Sequence, residues 1–547
     1  VKEPMMSSTD TKLDNASQSG NFTMRAAWIT GANILSFILA TATPFILVHI
    51  LTQAQMGVYR QSIQIMLTVT GMINLQVASS AYYFIPKRPE KRFQIALNII
   101  LFYVLVGSLI ALAFWIFPEW SALISKSNEI TRHIPLIGLI ILCWVVGYNL
   151  EVLPLALGDA RTSAGFIVLA QIIRSVLTIG SAIIFRSERA IIWSVLIQCL
   201  FQMVLGFWYL HRHYRPWRYE LSRENWDLFK AQMLNALPYG VGGIIYIFQN
   251  DLHTYIVAGN FPASVYAIYS IGCFQVPLLS MLTGAFTSVM IPELALLAAQ
   301  GNSQGIIHIW SGAVRKLALV FVPICSLLFV VRNEFYAMLF PPEYASAASI
   351  FAVFLISLLM TIIVPGAVLR AFNDLRFYQF KLYSSLALAG LVLLNLGVRW
   401  GGLVGIIVTV ICLQAFDVCV TLRVVTRRLG FGRHNWRDLA PLGRTALAGL
   451  LATVLTMCIK FLLPHEWLMH TISQPRLYAA CTLALCGIFY LAAYLTSVIA
   501  LGAITSTEVH DLRPLFARVR PFIPGPIFRS AAKWISHRGG LAFETKG

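Results

Sequence analysis

The sequence is poor in charge. Only 12% of its 547 residues are Asp, Glu, Lys or Arg, against about 25% in a soluble domain. That deficit excludes both an ordinary soluble enzyme and a disordered chain. Nine cysteines occur, yet none forms a CxxC and no His/Cys cluster has zinc spacing. A disulfide-stapled scaffold is excluded, and the cysteines, all in or beside apolar runs, read as small packing residues. The nucleotide-binding pattern G-x-x-x-x-G-K-[ST] is missing, so the chain is not expected to consume ATP itself. HExxH, GxSxG and paired carboxylates on a long outer loop are missing too. No enzyme activity, cofactor or metal is therefore expected. Residues 1–24 are polar and contain no apolar signal-peptide core, so the first apolar run is expected to act as the insertion signal. Val1 at the start suggests an alternative start codon, or initiation at Met5 or Met6.

What the chain has instead is a series of apolar runs about 20 residues long, the length that crosses a bilayer as a helix. Fourteen spans are predicted. The first seven are 27–50, 61–84, 94–117, 134–157, 163–185, 190–210 and 236–258. The other seven are 265–290, 314–331, 347–369, 378–398, 401–422, 442–463 and 477–502. The ninth is short, and only Arg399-Trp400-Gly401-Gly402 separates the eleventh from the twelfth.

The net charge of +18 would suggest nucleic acid in a soluble protein. Its distribution says otherwise. With the N-terminus inside, 31 of the 41 Lys and Arg fall on inner segments and 9 on outer ones, with Arg174 inside a span. A missed or extra helix would invert every later loop, so the asymmetry predicts an even number of spans and both termini cytoplasmic. The basic excess is read as a topology signal and a contact with anionic lipids, not as a nucleic-acid site. The tail after 505 mixes Arg and Lys with Phe, Ile and Trp; it reads either as an interfacial segment or as a disordered basic tail. Segment 220–232 reads as an interfacial helix leading into the seventh span.

The chain also repeats itself. HILTQAQMGVYRQ (49–61) follows the first span and VAGNFPASVYAIYS (257–270) follows the seventh, with Tyr59 and Tyr269 in register 210 residues apart. The spacing implies two parallel six-helix bundles. The expected organisation is a polar tail (1–24), a first bundle (25–212), a cytoplasmic linker with an interfacial helix (213–235) and a second bundle (236–425). Two further helices (426–505) and the basic tail (506–547) complete it.

These strings, with LPYG, QNDLHTY and FYAMLFPPEYASAASIF, resemble the polysaccharide and O-antigen flippase branch of the multidrug/oligosaccharidyl-lipid/polysaccharide (MOP) exporter superfamily. The resemblance covers roughly 24–460. The family glycine before the tyrosine is kept at Gly57 but is Ala267 in the second half, and Pro341 replaces another. The Arg-Asp pair typical of peptidoglycan-precursor flippases is not matched, because Ala26 follows Arg25. The resemblance implies an all-α fold like that of the multidrug (MATE) exporters. It also implies a flippase for an undecaprenyl-diphosphate-linked oligosaccharide in the bacterial inner membrane, and an acidic residue at Asp251.

A charge inside a span costs about 2.5–3.5 kcal/mol on insertion scales, so each one needs a reason. Arg174 lies near the middle of the fifth span; it could hold a pyrophosphate in a central cavity, or form an ion pair with Glu151 or Asp251. Asp251 and Asp417 are candidates for coupling to H+ or Na+. Gln76 in the second span, with Asn74 and Ser79, and Gln275 in the eighth, with Pro277, could bind sugar hydroxyls or join helices. Arg88 and Arg370, with Asn373 and Arg376, could attract an anionic headgroup at the cytoplasmic mouth or serve as topology anchors. Lys460 is expected to snorkel, and Pro44, Pro277 and Pro365 to kink helices. The expected partners are a lipid-linked oligosaccharide, anionic lipids and a polysaccharide polymerase complex. The alternatives are a cation-coupled multidrug exporter, a membrane-embedded enzyme of envelope polysaccharide assembly, or a non-transporting scaffold.

Overall fold

A computed structural model describes residues 8–215, 217, 222–432, 434–462 and 474–503. The tail 506–547 lies outside these residues, as do the side chains of Asn373 and Arg376. Every regular element among them is a helix.

Among the described residues, eleven helices are long and apolar enough to cross a membrane, one of them spanning 52 residues. That long one is two helices. Gly402 sits inside it at φ 54 and ψ −132, a conformation no helix tolerates. The arms fold back so closely that a Cβ on Gly405 would lie 2.0 Å from the carbonyl oxygen of Gly397. Two further helices, Gln53–Asn74 and Arg223–Asn260, fall on expected spans but are not among the eleven. Each of the fourteen expected spans thus has a helical counterpart. Leu105, Ile184 and Val392 project outward unburied from these helices, as suits contact with lipid and not water. The protein is a multi-pass membrane protein.

Several boundaries differ from expectation. The ninth helix is not short: it runs Ser303–Val330, starting at an Asn302 cap that accepts from the Gly305 amide at 2.9 Å. The segment read as a separate interfacial helix is continuous with the seventh span in Arg223–Asn260. Its start is fastened by a Lys91–Glu224 ion pair and by buried Asn98, whose amide donates to Gln232 at 3.1 Å and Asn225 at 3.3 Å. The second span begins eight residues early, at Gln53, because Thr52 and Gln55 form a reciprocal capping box. Its counterpart begins at Ala263 after Pro262, so the helix starts keep the 210-residue repeat. Pro277 and Pro365 each open a helix after a break and kink none.

The chain divides into two compact units. The first comprises the described residues of Val1–Pro277, Phe340–Ile350 and Phe377–Leu413. Its core has two apolar clusters, one around Val77, Ile99 and Tyr103, the other around Ile65, Ile141 and Val195. Here Gln53–Asn74 crosses Ala263–Gly272 at Gly57, where a Cβ would fall 1.8 Å from the Ala263 carbonyl oxygen. Arg60 Nη2 donates to the Ser270 carbonyl at 3.4 Å, and Ser270 is its own counterpart in the repeat. The second unit comprises the described residues of Leu278–Leu339, Phe351–Arg376 and Gln414–Gly547. Ala448 and Ala452 there let helices approach closely beside Tyr490 and Tyr494. Lys460 does not snorkel. It binds Glu334 at 2.8 Å and the Val330 carbonyl at 2.9 Å, with both side chains mostly covered.

Candidate functional site

The strongest candidate in the first unit is a break in the second membrane helix. Helix Gln53–Asn74 ends at Leu75 (φ 47) and Gln76 (φ 57), two consecutive left-handed residues of which neither is glycine. Such a conformation is strained and persists only where neighbours hold it. Gly240 does so from one side: a Cβ there would meet the Leu75 backbone at 2.6 Å, so only glycine fits. Tyr103 does so from the other. Its hydroxyl accepts from the Ala78 amide at 3.0 Å and donates toward the Asn74 carbonyl and Oδ1, both at 2.9 Å.

Beside this break lies a cavity of about 260 Å³. Its walls include Thr70, Asn74, Tyr103, Trp144 and Tyr148. Aromatic faces with an amide and hydroxyls can stack on and hydrogen-bond a ring bearing alcohols. Gln76 lies two residues beyond Asn74, exposed and accepting from Ser79 at 2.9 Å. It stands at the break, not within a continuous helix as expected.

Arg174 is not itself part of the cavity wall. Its guanidinium lies 3.9 Å from the ring centre of Trp144, and Nε donates to Gln198 Oε1 at 3.3 Å. Gln198 donates to Gln202 at 2.9 Å, and Gln202 to the Gly147 carbonyl at 3.4 Å. This chain of amides ties three helices together behind the wall. Among the described ion pairs none joins Arg174 to Glu151 or Asp251, although Glu151 is near enough to feel its charge. The cation is stabilised instead by an aromatic face and an amide oxygen.

Asp251 belongs to a second polar group in the same unit. It accepts from Thr68 Oγ1 at 2.6 Å and from Asn250 at 3.3 Å, while Gln64 donates to Thr68 at 3.2 Å. His253 nearby shares a 2.8 Å hydrogen bond with the hydroxyl of Tyr269. A void of about 10 Å³ lined by Gln61, Gln64, Ser125, Thr254 and Tyr266 adjoins this region, just large enough for one water. Arg60, which sequence reasoning counted only as an outer-loop charge, is half-buried here with Nε lacking a partner. The T-x-x-Q capping signature at 52–55 could have placed Arg60 inside the helix.

The other expected residues are dispersed. Gln275 lies exposed in the non-helical stretch between Ala263–Gly272 and Pro277–Ala299. Arg88 is exposed just after Ala81–Lys87. In the second unit Arg370 is exposed at the end of Pro365–Arg370. Asp417, also there, accepts from Thr421 one turn along its own helix at 3.2 Å.

A family model described as "Polysaccharide biosynthesis protein" matches residues 84–349. No curated protein sequence matches the chain. Among solved structures, the lipid II flippase MurJ in an inward closed conformation aligns with a TM-score of 0.60 at 13% identity, covering 86% of this chain and 99% of that one. A multidrug resistance MATE family transporter of the MOP superfamily aligns in its inward-facing form with a TM-score of 0.56 at 15% identity, over 72% of this chain and 94% of that one. In an outward-facing form the values are 0.51 and 14%, over 74% and 95%. These structures show the fold to be that of MOP-superfamily flippases and exporters. The resemblance to the polysaccharide flippase branch read from the sequence is borne out.

Proposed function

We propose that the chain is a flippase, not an enzyme, that carries an undecaprenyl-diphosphate-linked oligosaccharide across the bacterial inner membrane for surface polysaccharide synthesis. The observation that carries this reading is the cavity at the helix break, where Trp144, Tyr103 and Tyr148 stand with Asn74 and Thr70. Those are the groups that stack on and hydrogen-bond a sugar. The region that matches the polysaccharide family includes Trp144, Tyr148 and Arg174. Arg174 acts from behind, holding the Trp144 ring and adding positive potential for a diphosphate. Both termini are cytoplasmic in this reading, and the two six-helix halves rock to alternate access. Arg88, Arg370, Gln76 and Gln275 contribute at the mouths, and a polymerase complex takes the product.

Energy comes from an H+ or Na+ gradient or the membrane potential, worth about 2.3 kcal/mol per charge per 100 mV. Asp251 and Asp417 are the coupling candidates. Asp251 also favours one second reading, a cation-coupled multidrug exporter, because it is a carboxylate held inside a membrane helix by Thr68.

The test is a proteoliposome assay with a fluorescent polyprenyl-diphosphate oligosaccharide and an impermeant quencher. The flippase reading expects protein-dependent exposure of the label, lost in Trp144→Ala. It fails if the lipid-linked sugar stays in one leaflet while a cationic dye moves under an imposed ion gradient, the result the exporter reading expects.

A further inference from the structure

Two membrane helices of the first unit bring their first turns together. Glu129 is the second residue of Asn128–Gly147, and Glu188 opens Glu188–His213. Acidic residues at helix starts answer the positive end of the helix dipole. They do so here in place of caps, since neither Ser127 nor Ser187 makes a side-chain capping bond. His133 has no such account. It follows Glu129 by four residues on the same helix face. It is only 5% exposed, and its Nε2 is buried without a hydrogen-bond partner. A buried nitrogen left without a partner is destabilising, because it has given up water and gained nothing in return. One ligand atom from each of Glu129, His133 and Glu188 lies within 4.8 Å of the other two.

We propose that Glu129, His133 and Glu188 form a binding site for a divalent transition-metal ion, zinc by preference, that bridges the starts of these two helices. An imidazole nitrogen with two carboxylate oxygens is a donor set zinc takes at about 2.0–2.2 Å, with its fourth position left to water. Calcium and magnesium prefer oxygen alone. Tetrahedral zinc would hold the three ligand atoms about 3.4 Å apart, so the side chains close by at most about 1.4 Å. Glu129 is exposed and Glu188 half-buried, which leaves both free to move while His133 stays fixed. Glu129 also pairs with exposed Arg132 at 3.1 Å; a surface pair of this kind is weak, and a divalent ion displaces it. Arg132 and Arg189 lie near enough to influence His133, and their positive charge opposes a cation there.

The experiment is calorimetric titration of full-length, tag-free, EDTA-treated protein in lipid nanodiscs with ZnCl2. One ion per chain is expected. His133→Ala and Glu188→Gln should each weaken binding by about tenfold or more, and equimolar CaCl2 should not compete. Glu188→Gln and Glu129→Gln change half-buried or exposed helix starts and keep the fold, so they decide the matter if His133→Ala misfolds. Absent saturable zinc binding, undiminished binding in these variants, or equal displacement by calcium would each overturn the site.

Discussion

Replacing Gly57 by alanine tests the crossing of the two repeats directly. The new Cβ would stand 1.8 Å from the Ala263 carbonyl oxygen, 2.4 Å from its carbon and 3.0 Å from its Cα. All three are backbone atoms, so no side-chain rotation relieves the clash. Restoring an ordinary contact of 3.4 Å requires the helices to part by about 1.6 Å, and overpacking of that kind costs about 1–3 kcal/mol. The separation also strips contacts from buried Tyr59, Tyr266 and Tyr269 along the same crossing; a gap of 0.5–1 Å already forfeits about a quarter to a half of each dispersion contact. Unfolding entropy grows at about 2.1 cal/mol/K per residue, so in a chain of 547 residues each kcal/mol moves the melting midpoint by about 1 °C and a fall of about 1–3 °C is expected. The assay is thermal unfolding followed by fluorescence-detected size exclusion. Gly31→Ala and Gly165→Ala serve as controls, because nothing lies within 4 Å of a Cβ at either position. Both should be neutral or stabilising, since alanine is favoured over glycine in a helix by up to about 1 kcal/mol. A Gly57→Ala protein that melts with the controls would refute the crossing.

Further outcomes follow from other contacts. Arg174→Ala should lower both the melting midpoint and lipid-sugar flipping, since a desolvated cation–aromatic contact is worth about 2 kcal/mol, while Arg174→Lys should retain part of each. Lys460→Met should destabilise by about 2–4 kcal/mol by stranding Glu334, and the double variant Lys460→Met/Glu334→Met should recover most of it in the same melting assay. Thr68→Val should change the cation dependence of transport by removing the 2.6 Å donor to Asp251, whereas Thr68→Ser should not. The Lys91 ammonium holds the Glu224 carboxyl below its ordinary value of 4.5. A lowered value means the clasp contributes fully above the ordinary range and is lost as pH falls through the lowered one. Hydrogen exchange at 223–232, corrected for intrinsic rate, should therefore rise on acidification, and Lys91→Gln should abolish that rise.

The helices were legible in the sequence because apolar length alone nearly determines them in a bilayer. Even the hairpin at Gly402 announced itself, since Arg399-Trp400-Gly401-Gly402 was the one interruption in a long apolar stretch. The breaks were not legible. Leu75 and Gln76 carry no turn signature; their left-handed backbone is imposed by Gly240 and Tyr103 from distant helices. The cavity beside them was missed for the same reason, although Asn74 in its wall stood with Gln76 among the amides expected to meet sugar or join helices. Arg174 stood out correctly as a mid-span charge, but its partner is an aromatic ring 30 residues earlier, which charge pairing could not suggest. His133 carried no signal of its own in the sequence. Its two carboxylate neighbours come partly from another helix, and only the i, i+4 spacing to Glu129 was visible.

The crossing at Gly57 also sets a clock on biosynthesis. The hairpin at Gly402 joins Gly397 to Gly405, neighbours in sequence, and can close as soon as it leaves the ribosome. Gly57 meets Ala263 only after another 206 residues have been made, which at about 5–20 residues per second takes roughly 10–40 s. For that interval the bare backbone groove of the second helix stands in the bilayer without its partner. It is then the surface most open to a chaperone, or to the wrong helix.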